Sequence, residues 1–314
     1  MFDYPKPRNL GQSCAAFQRL TYLQSLPKAV NGIVFSALSL LLMMTNANAQ
    51  VSFEGKFEQG ALIRGQAPAG TQISLNGEAL RVTPDGYFAF GFDRDGELSQ
   101  QLTLVYPEGL TEVKPLTVAK RQYDIQSVKG ISNKIMKPDP IAQERAAKDT
   151  AQVKAARATF SEQTAFLQDF IWPLTGRISG VYGSQRIYND VPGNPHFGVD
   201  VAAKTGTVVV APADGVISLS VPDMFYSGGT MVIDHGYGVS SSFLHLSKLY
   251  VQAGEAVKQG QAVAEVGATG RANGPHLDWR INWYQMRLDP TTLVPPMATV
   301  LAKEKAAKTV VSPK

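Results

Sequence analysis

The chain has 314 residues, of which 44% are apolar and 18% are charged. This composition excludes a globally disordered chain, and the length suits about two modest domains. The formal net charge is +4, but residues 1–49 hold four of the 30 basic residues and only one of the 26 acidic residues. The remainder is therefore almost neutral, which removes the charge argument for a nucleic-acid partner.

The first 49 residues are predicted to be a signal peptide. A basic leader precedes an apolar run, GIVFSALSLLLMM, which is 13 residues long and shorter than the ~20 residues of a membrane-spanning helix. The run leads to Ala47-Asn48-Ala49, which has the small-x-small form of a signal-peptidase site. We expect cleavage after Ala49 and a periplasmic or wall-associated protein, with an uncleaved anchor as the alternative. The single cysteine, Cys14, lies in this leader, so no disulfide is predicted for the rest.

Residues 50–122 are predicted to form a small β-sandwich-like accessory domain. Apolar and polar residues alternate, and Asn76-Gly77 and Pro84-Asp85-Gly86 mark tight turns. Several short strands at this spacing are typical of a sandwich. We expect its aromatic residues to fill the core: Phe53, Phe57, Tyr87, Phe88, Phe90 and Phe92.

Residues 123–170 are predicted to be a basic helical connector. The stretch 141–170 is rich in Ala, Gln, Lys, Arg and Glu and contains neither Pro nor Gly. Ten basic and four acidic residues lie between positions 114 and 160. This charge indicates a solvated surface, with contact to an anionic polymer as the alternative.

Residues 171–295 again show the pattern of β-strands, punctuated by glycines and without a helical period. We therefore predict a mainly β protein, with an antiparallel sheet in this second domain. Residues 296–314 are predicted to be a flexible tail.

All four histidines, His196, His235, His245 and His276, lie in this second β region. His196 precedes Asp200 by four positions, and imidazole and carboxylate are both common zinc ligands. Gly198 lies between them and would allow the sharp chain path that brings the two side chains together.

His276 and Asp278 are two positions apart, so a strand would point both to the same side. Leu277 and Trp279 would then point into the core. Together with His196 and Asp200, these residues suggest three metal ligands and spare histidines. A catalytic zinc keeps a position open for water, and a histidine is suited to relay the proton of that water.

The same residues carry a close resemblance to a known family. Three stretches, beginning NPHFGVDVAAKTG, IDHGYGVSSSFLHLS and VQAGEAVKQG and ending in GPHLDWRI, resemble the lysostaphin/LytM-type zinc peptidases of bacterial cell walls over about residues 172–295. The N-terminal β region is similar, more loosely, to the accessory domains of such peptidases.

The resemblance implies an antiparallel β-sheet with an open groove and one zinc ion per chain. It implies that His196, Asp200 and the residue at position 278 hold the zinc, and that His245 and His276 activate water and stabilise the transition state. The implied substrate is the peptide crosslink of peptidoglycan. The resemblance gives His235 no catalytic role, and we interpret it as structural.

Position 278 departs from the family pattern, which has a histidine there. Two carboxylates and one imidazole would neutralise the zinc ion and weaken it as a Lewis acid. Three interpretations follow: an active zinc endopeptidase; a catalytically weak homologue that binds the wall and activates other hydrolases; or a site for a harder ion such as Mn²⁺ or Co²⁺. A regulatory partner, or a groove blocked by residues 50–170, is also compatible with the sequence.

Overall fold

The protein is described here by a computed structural model that covers residues 50–129 and 139–311. The predicted signal peptide, its cleavage site and Cys14 lie outside the described residues.

The N-terminal β region contains two small antiparallel sheets, as its alternating sequence predicts. One has the strand order β1–β2–β5 and the other the order β4–β3–β6–β7. Asn76 and Gly77 both have positive φ and form the two-residue turn between β3 and β4, the conformation that an Asn-Gly hairpin favours. The strands are β1 Ser52–Glu54, β2 Leu62–Gln66, β3 Gln72–Leu75, β4 Glu78–Ala79, β5 Tyr87–Gly91, β6 Ser99–Val105 and β7 Thr111–Thr117.

The aromatic residues of this region fill its core, with one exception. Phe88, Phe90 and Phe92 are buried, and Phe53 and Phe57 pack against them. Tyr87 instead packs against the core of the second β region. The two β regions therefore share buried apolar surface.

The connector differs from its prediction in two ways. It begins with a strand, β8 (Ile125–Val128), and its helix α1 (Pro140–Ala158) ends twelve residues before the predicted end at residue 170. Asp139 caps the helix by accepting a hydrogen bond from the amide of Ile141. Between α1 and β9 the only regular element of the described chain is a 3₁₀ turn at Ala165–Leu167, where Phe166 enters the core of the second β region together with Phe170.

The second β region is a ten-stranded sheet in which every pairing is antiparallel, as predicted. Its main path runs β17–β14–β15–β16–β19–β12–β9, and β8 adds to a separate three-stranded sheet with β10 and β11. The strands are β9 Arg177–Gly180, β10 Gln185–Tyr188, β11 Val191–Pro192, β12 Val199–Ala202, β13 Val208–Val210, β14 Gly215–Met224, β15 Gly228–Gly236, β16 Val239–Leu249, β17 Ala256–Val257, β18 Ala262–Val266, β19 His276–Trp283 and β20 Met286–Leu288. A 3₁₀ turn follows at Pro290–Thr292.

The prediction of a flexible tail at residues 296–314 is wrong for most of this segment, since Met297–Val311 form helix α2. Its sequence is rich in Ala, Lys and Glu, which favour helix, and the carbonyl of Pro296 accepts the first hydrogen bonds. Met297 is buried in the core and anchors the start of the helix. Within the described residues, no helix is long and apolar enough to span a membrane.

Candidate metal centre

The site is built on the pairing of β12 with β19. In this antiparallel pair, Asp200 lies directly opposite Asp278 and Ala202 lies opposite His276. Because side chains alternate along a strand, Leu277 and Trp279 point to the other face, where both are fully buried. The predicted division of this strand into a polar face and a core face is confirmed.

His196 joins the two carboxylates from the segment that precedes β12. One ligand atom from each of His196, Asp200 and Asp278 lies within 4.8 Å of the others. Nε2 of His196 is 3.1 Å from Oδ1 of Asp200 and 3.6 Å from Oδ2 of Asp278. The structure therefore brings together the three predicted ligands, of which Asp278 is distant in sequence from His196 and Asp200.

Two glycines make room for these carboxylates. A Cβ on Gly198 would lie 2.3 Å from Oδ1 of Asp278, and a Cβ on Gly180 would lie 2.2 Å from Oδ2 of Asp200. Gly198 does not have positive φ. Glycine is therefore needed at position 198 for a different reason from the predicted sharp chain path. It leaves space for the side chain of Asp278 and does not form a left-handed turn.

The donor atoms fit a bound cation. Nε2 of His196 and Oδ1 of Asp200 are both buried, and neither makes a hydrogen bond with any described residue. Buried polar atoms almost always have a partner, and one without a partner is costly. Imidazole nitrogen and carboxylate oxygen are both ligands of zinc, and a metal ion placed among the three residues would satisfy both orphaned atoms.

His245 lies beside this group in an unusual backbone conformation. Its φ is +64°, and the register of β16 against β15 and β18 shifts around it. Residues other than glycine rarely adopt this φ, and such strain is concentrated at functional sites. The ring centroids of His245 and His276 are 4.8 Å apart. The sequence predicted His245 on a regular strand and did not predict the bulge.

The three site histidines share one tautomer. Their Nδ1 atoms lie against the backbone carbonyls of Val181, Thr269 and Gly274, for His196, His245 and His276 respectively, at 3.2, 2.8 and 2.8 Å. A carbonyl only accepts, so Nδ1 must carry a proton, and in the neutral ring Nε2 keeps its lone pair. In each ring Nε2 is thus the atom available to the site.

His235 has no such free nitrogen. Its Nδ1 lies 2.7 Å from the carbonyl of Asp214 and its Nε2 lies 2.8 Å from Oγ of Ser241. The ring is fully buried beside Phe170, and burial lowers its pKa to about 4. These contacts agree with the structural role interpreted from the sequence.

Arg280 is part of the site and was not predicted. Its Nε and Nη2 donate to the two oxygens of Asp278 at 2.9 and 2.5 Å, which is the bidentate geometry of a strong ion pair. Burial by itself raises the pKa of Asp278, but Arg280 outweighs it and holds that pKa far below its usual range. The spacing of Arg280 from Asp278, two positions on a strand, is a signal that the sequence contained.

The carboxylates act on His196 as well. Burial lowers the pKa of His196, but the nearby Asp200 and Asp278 outweigh burial and raise this pKa to about 10. The carboxylates of Asp200 and Asp278, at 3.1 and 3.6 Å from Nε2 of His196, favour the charged form of the ring. In the metal-free protein, His196 is therefore protonated at neutral pH.

Helix α1 lies on the same face of the sheet as the site. Nη2 of Arg157 contacts Oγ of Ser242 at 3.2 Å, and Ser242 lies opposite Arg280 in the pairing of β16 with β19. Arg157 is buried, its Nε makes no hydrogen bond with a described residue, and burial, with Arg280 and Arg287 nearby, lowers its pKa to about 9. The connector thus places an unpaired cation near the metal group.

Comparison with known proteins assigns this region to a family. The model of peptidase family M23 matches residues 194–290, a span that contains all five predicted site residues. Residues 194–290 are a peptidase family M23 domain. The predicted resemblance of this region to that family is confirmed.

The M23 domain is also the part of the chain that curated relatives share. The peptidoglycan DD-endopeptidase ShyA of Vibrio cholerae serotype O1 is 35% identical over 114 residues, which are 36% of this chain and 26% of that protein. The DD-carboxypeptidase/endopeptidase Mpg of Neisseria meningitidis serogroup B is 37% identical over 112 residues, which are also 36% of this chain and 26% of that protein. The match therefore spans about a quarter of the length of these relatives.

A solved structure extends the similarity beyond the M23 domain. The crystal structure assigned as a peptidase M23 from Pseudomonas aeruginosa matches 76% of this chain and 95% of its own chain, with a TM-score of 0.59 and 27% identity. This coverage is larger than residues 194–290, so the likeness extends beyond the M23 domain.

Proposed function

We propose that the protein is an exported zinc endopeptidase that hydrolyses peptide crosslinks in bacterial peptidoglycan. The observation that carries this proposal is the pair of buried atoms without a hydrogen bond, Nε2 of His196 and Oδ1 of Asp200, beside two histidines whose Nδ1 atoms are held by backbone carbonyls. The M23 domain and its relatives named peptidoglycan endopeptidases support the class of substrate.

His196, Asp200 and Asp278 would hold the zinc ion. Bound there, zinc would supply Lewis acidity, which polarises a peptide carbonyl and makes a water molecule more acidic. His276 lies close to this group, with Nε2 3.8 Å from Oδ1 of Asp200. The remaining chemistry falls to the two histidines that are not ligands.

His245 is suited to be the general base. Burial lowers its pKa, so the ring is neutral at neutral pH, and Nδ1 keeps its proton by donating to Thr269. Nε2 can then accept the proton of the attacking water and return it to the amine nitrogen as the peptide bond breaks. The held ring and its strained backbone keep this nitrogen in one place.

His276 is suited to stabilise the transition state. Its Nδ1 is fixed by the carbonyl of Gly274, and its ring lies against that of His245. A ring that has taken a proton from the solvent at Nε2 would be a positively charged donor, which is what an oxyanion requires. We therefore assign His276 to the oxyanion and His245 to the water proton.

A combined metal analysis and digestion of isolated sacculi tests the proposal. Purified residues 50–314 should hold about one zinc ion per chain and release muropeptides, and a chelator should stop the release. Zinc-loaded protein that releases nothing would refute the enzyme. Metal-free protein that binds sacculi and stimulates a partner hydrolase would support the activator alternative.

Export is a separate part of the proposal, supported by the basic leader, the apolar run and Ala47-Asn48-Ala49. N-terminal sequencing of the protein from a periplasmic fraction should find Gln50 as the first residue. A retained leader would favour the uncleaved anchor.

A further inference from the structure

The ion pair of Arg280 with Asp278 raises the question of what the arginine does at a metal centre. The side chain of Asp278 is 3% exposed and that of Arg280 is 20% exposed, so the pair is shielded from water. Both oxygens of Asp278 accept from the same guanidinium. Such a pair is stronger and more strictly oriented than an exposed ion pair.

Arg280 does not close Asp278 to a metal ion. Oδ2 of Asp278 accepts from Arg280 and also lies 3.6 Å from Nε2 of His196. A carboxylate oxygen has two lone pairs, and Arg280 uses one of them on each oxygen. The second lone pair of Oδ2 remains available to an ion held by His196 and Asp200.

Arg280 also offsets an unfavourable juxtaposition. Asp200 and Asp278 lie directly opposite each other, and like charges in such positions destabilise a sheet. Both carboxylates act on the buried Arg280 guanidinium and stabilise its charge. The arginine is therefore a fixed countercharge for the carboxylate pair whether or not a metal ion is bound.

The net charge of the metal-loaded site indicates the role of Arg280. A divalent ion with two carboxylates and a neutral imidazole is neutral, which would make it a poor Lewis acid. The guanidinium of Arg280 returns one positive charge to the group. The same single positive charge would result from a divalent ion with one carboxylate and two neutral imidazoles, that is, with a histidine at position 278 and no arginine.

We propose that Arg280 is a positioning residue of the metal centre. It holds the Asp278 carboxylate toward the ion, and it gives the loaded site the same single positive charge that a histidine ligand at position 278 would give. This inference rests on the proposed metal site. Asp278 and Arg280 then form one functional unit: changing Asp278 alone lowers zinc affinity, changing Arg280 alone destabilises the metal-free fold, and changing both together repairs both defects.

Four proteins test this unit: the wild type, Asp278→His, Arg280→Gln and the double variant. Zinc affinity is measured by competition with a chromophoric chelator, and the unfolding midpoint of the metal-free protein is measured by circular dichroism. Asp278→His leaves a buried arginine without its carboxylate beside the ion, so zinc affinity should fall by about tenfold or more. Adding Arg280→Gln should recover most of that loss.

Arg280→Gln alone leaves the two carboxylates facing each other. The metal-free midpoint should fall below that of the wild type, and saturating zinc should raise it by more than it raises the wild-type midpoint. The control is Arg177→Gln, which removes an exposed arginine on β9. It should change neither measurement.

The proposal is overturned if Asp278→His binds zinc as tightly as the wild type while Arg280 is present, or if the second substitution recovers nothing. These outcomes differ from a failure of the proposed function, which would appear as a wild type that binds no zinc. If Arg280→Gln lacks the far-ultraviolet circular dichroism spectrum of the folded protein, Arg280→Lys is used as well. This variant keeps the positive charge but not the bidentate hydrogen bonds to Asp278. Its midpoint and affinity should lie between those of the wild type and Arg280→Gln, and values equal to the wild type would also overturn the proposal.

Discussion

Asp200 and Asp278 face each other across the pairing of β12 with β19. Each packs against a glycine, at a position where a Cβ would clash with the carboxylate. Two carboxylates in this relationship require cations. The described structure supplies one from Arg280 and one from protonated His196, and a metal ion would take the place of the proton on His196.

The first prediction concerns Gly198. An alanine there would place its Cβ 2.3 Å from Oδ1 of Asp278 and 2.8 Å from the carbonyl oxygen of Trp279, and the backbone cannot yield cheaply. We expect Gly198→Ala to destabilise the fold by about 1–3 kcal/mol, as overpacking does, and to weaken zinc binding by displacing Asp278. Urea unfolding and chelator competition measure the two effects.

Gly274→Ala is the matched control for this prediction. Gly274 lies near His276, has no atom within 4 Å of its Cβ position and does not need positive φ. Its substitution should leave stability and zinc affinity unchanged. Equal effects of the two alanines would contradict the interpretation that Gly198 makes room for Asp278.

The second prediction concerns protons released on metal binding. In the metal-free fold the pKa of His196 is about 10, above the ~6.5 of a histidine in an unfolded chain. The stabilisation from its charge is therefore complete below pH ~6.5 and is lost as the pH rises through about 10. Metal must displace this proton, so apparent zinc affinity should rise with pH over that range.

Calorimetry in two buffers of different ionisation enthalpy measures the release, and we expect about one proton per zinc ion at neutral pH. His235 contributes none, because burial lowers its pKa to about 4 and it is already neutral. Zinc binding at neutral pH without proton release would show that His196 is not a ligand.

The third prediction separates binding from chemistry. His196→Ala should abolish stoichiometric zinc. His245→Asn should retain zinc but lower the rate of sacculus hydrolysis by about 10²–10⁴-fold, the usual contribution of a general base. Asparagine is chosen because it tolerates the positive φ of His245 better than alanine does. Loss of zinc from the His245 variant would place His245 among the ligands instead.

The fourth prediction tests whether helix α1 blocks the site. The direct experiment would be to delete residues 50–170, the segment that contains this helix. That deletion is unsuitable, because Leu62, Ala89, Phe166 and Phe170 belong to the core of the second β region. A milder change releases the helix. Nη2 of Arg145 donates to Asp223 at 2.7 Å, and Asp149 accepts from the amide of Phe225 at 2.7 Å.

If α1 covers the groove, Arg145→Ala with Asp149→Ala should increase the rate of sacculus hydrolysis several-fold, because these two side chains attach that end of the helix to the sheet. Lys148→Ala is the control, since Lys148 pairs with Glu144 within the helix and leaves both attachments intact. An unchanged rate in the double variant would count against a blocking helix.

The structure also changes how Asp278→His should be interpreted. Taken from the sequence alone, a loss of activity in this variant would mean that the site had been built around a carboxylate. The bidentate pair shows that the variant also leaves Arg280 unpartnered. Only the comparison with the double variant separates the ligand from the charge.

Local patterns in the sequence were sufficient for much of the molecule. Alternation predicted the two β regions, and Asn76-Gly77 predicted a hairpin turn that the structure contains. The spacing of His276, Leu277 and Asp278 predicted which side chains face the core. The connector and the C-terminal segment were less well predicted, because buried contacts of Phe166, Phe170 and Met297 decided where helix begins and ends.

The sequence by itself determined the kinds of ligand and the faces on which they lie, because strand periodicity is local and the residue types carry the chemistry. Only the tertiary structure decided that Asp200 meets Asp278, that the carbonyls of Val181 and Thr269 leave Nε2 of His196 and His245 to the site, and that the pair of Arg280 with Asp278 is shielded from water. These relationships depend on strand register and burial. Both are set by contacts between segments that are far apart in the chain, so no local pattern contains them.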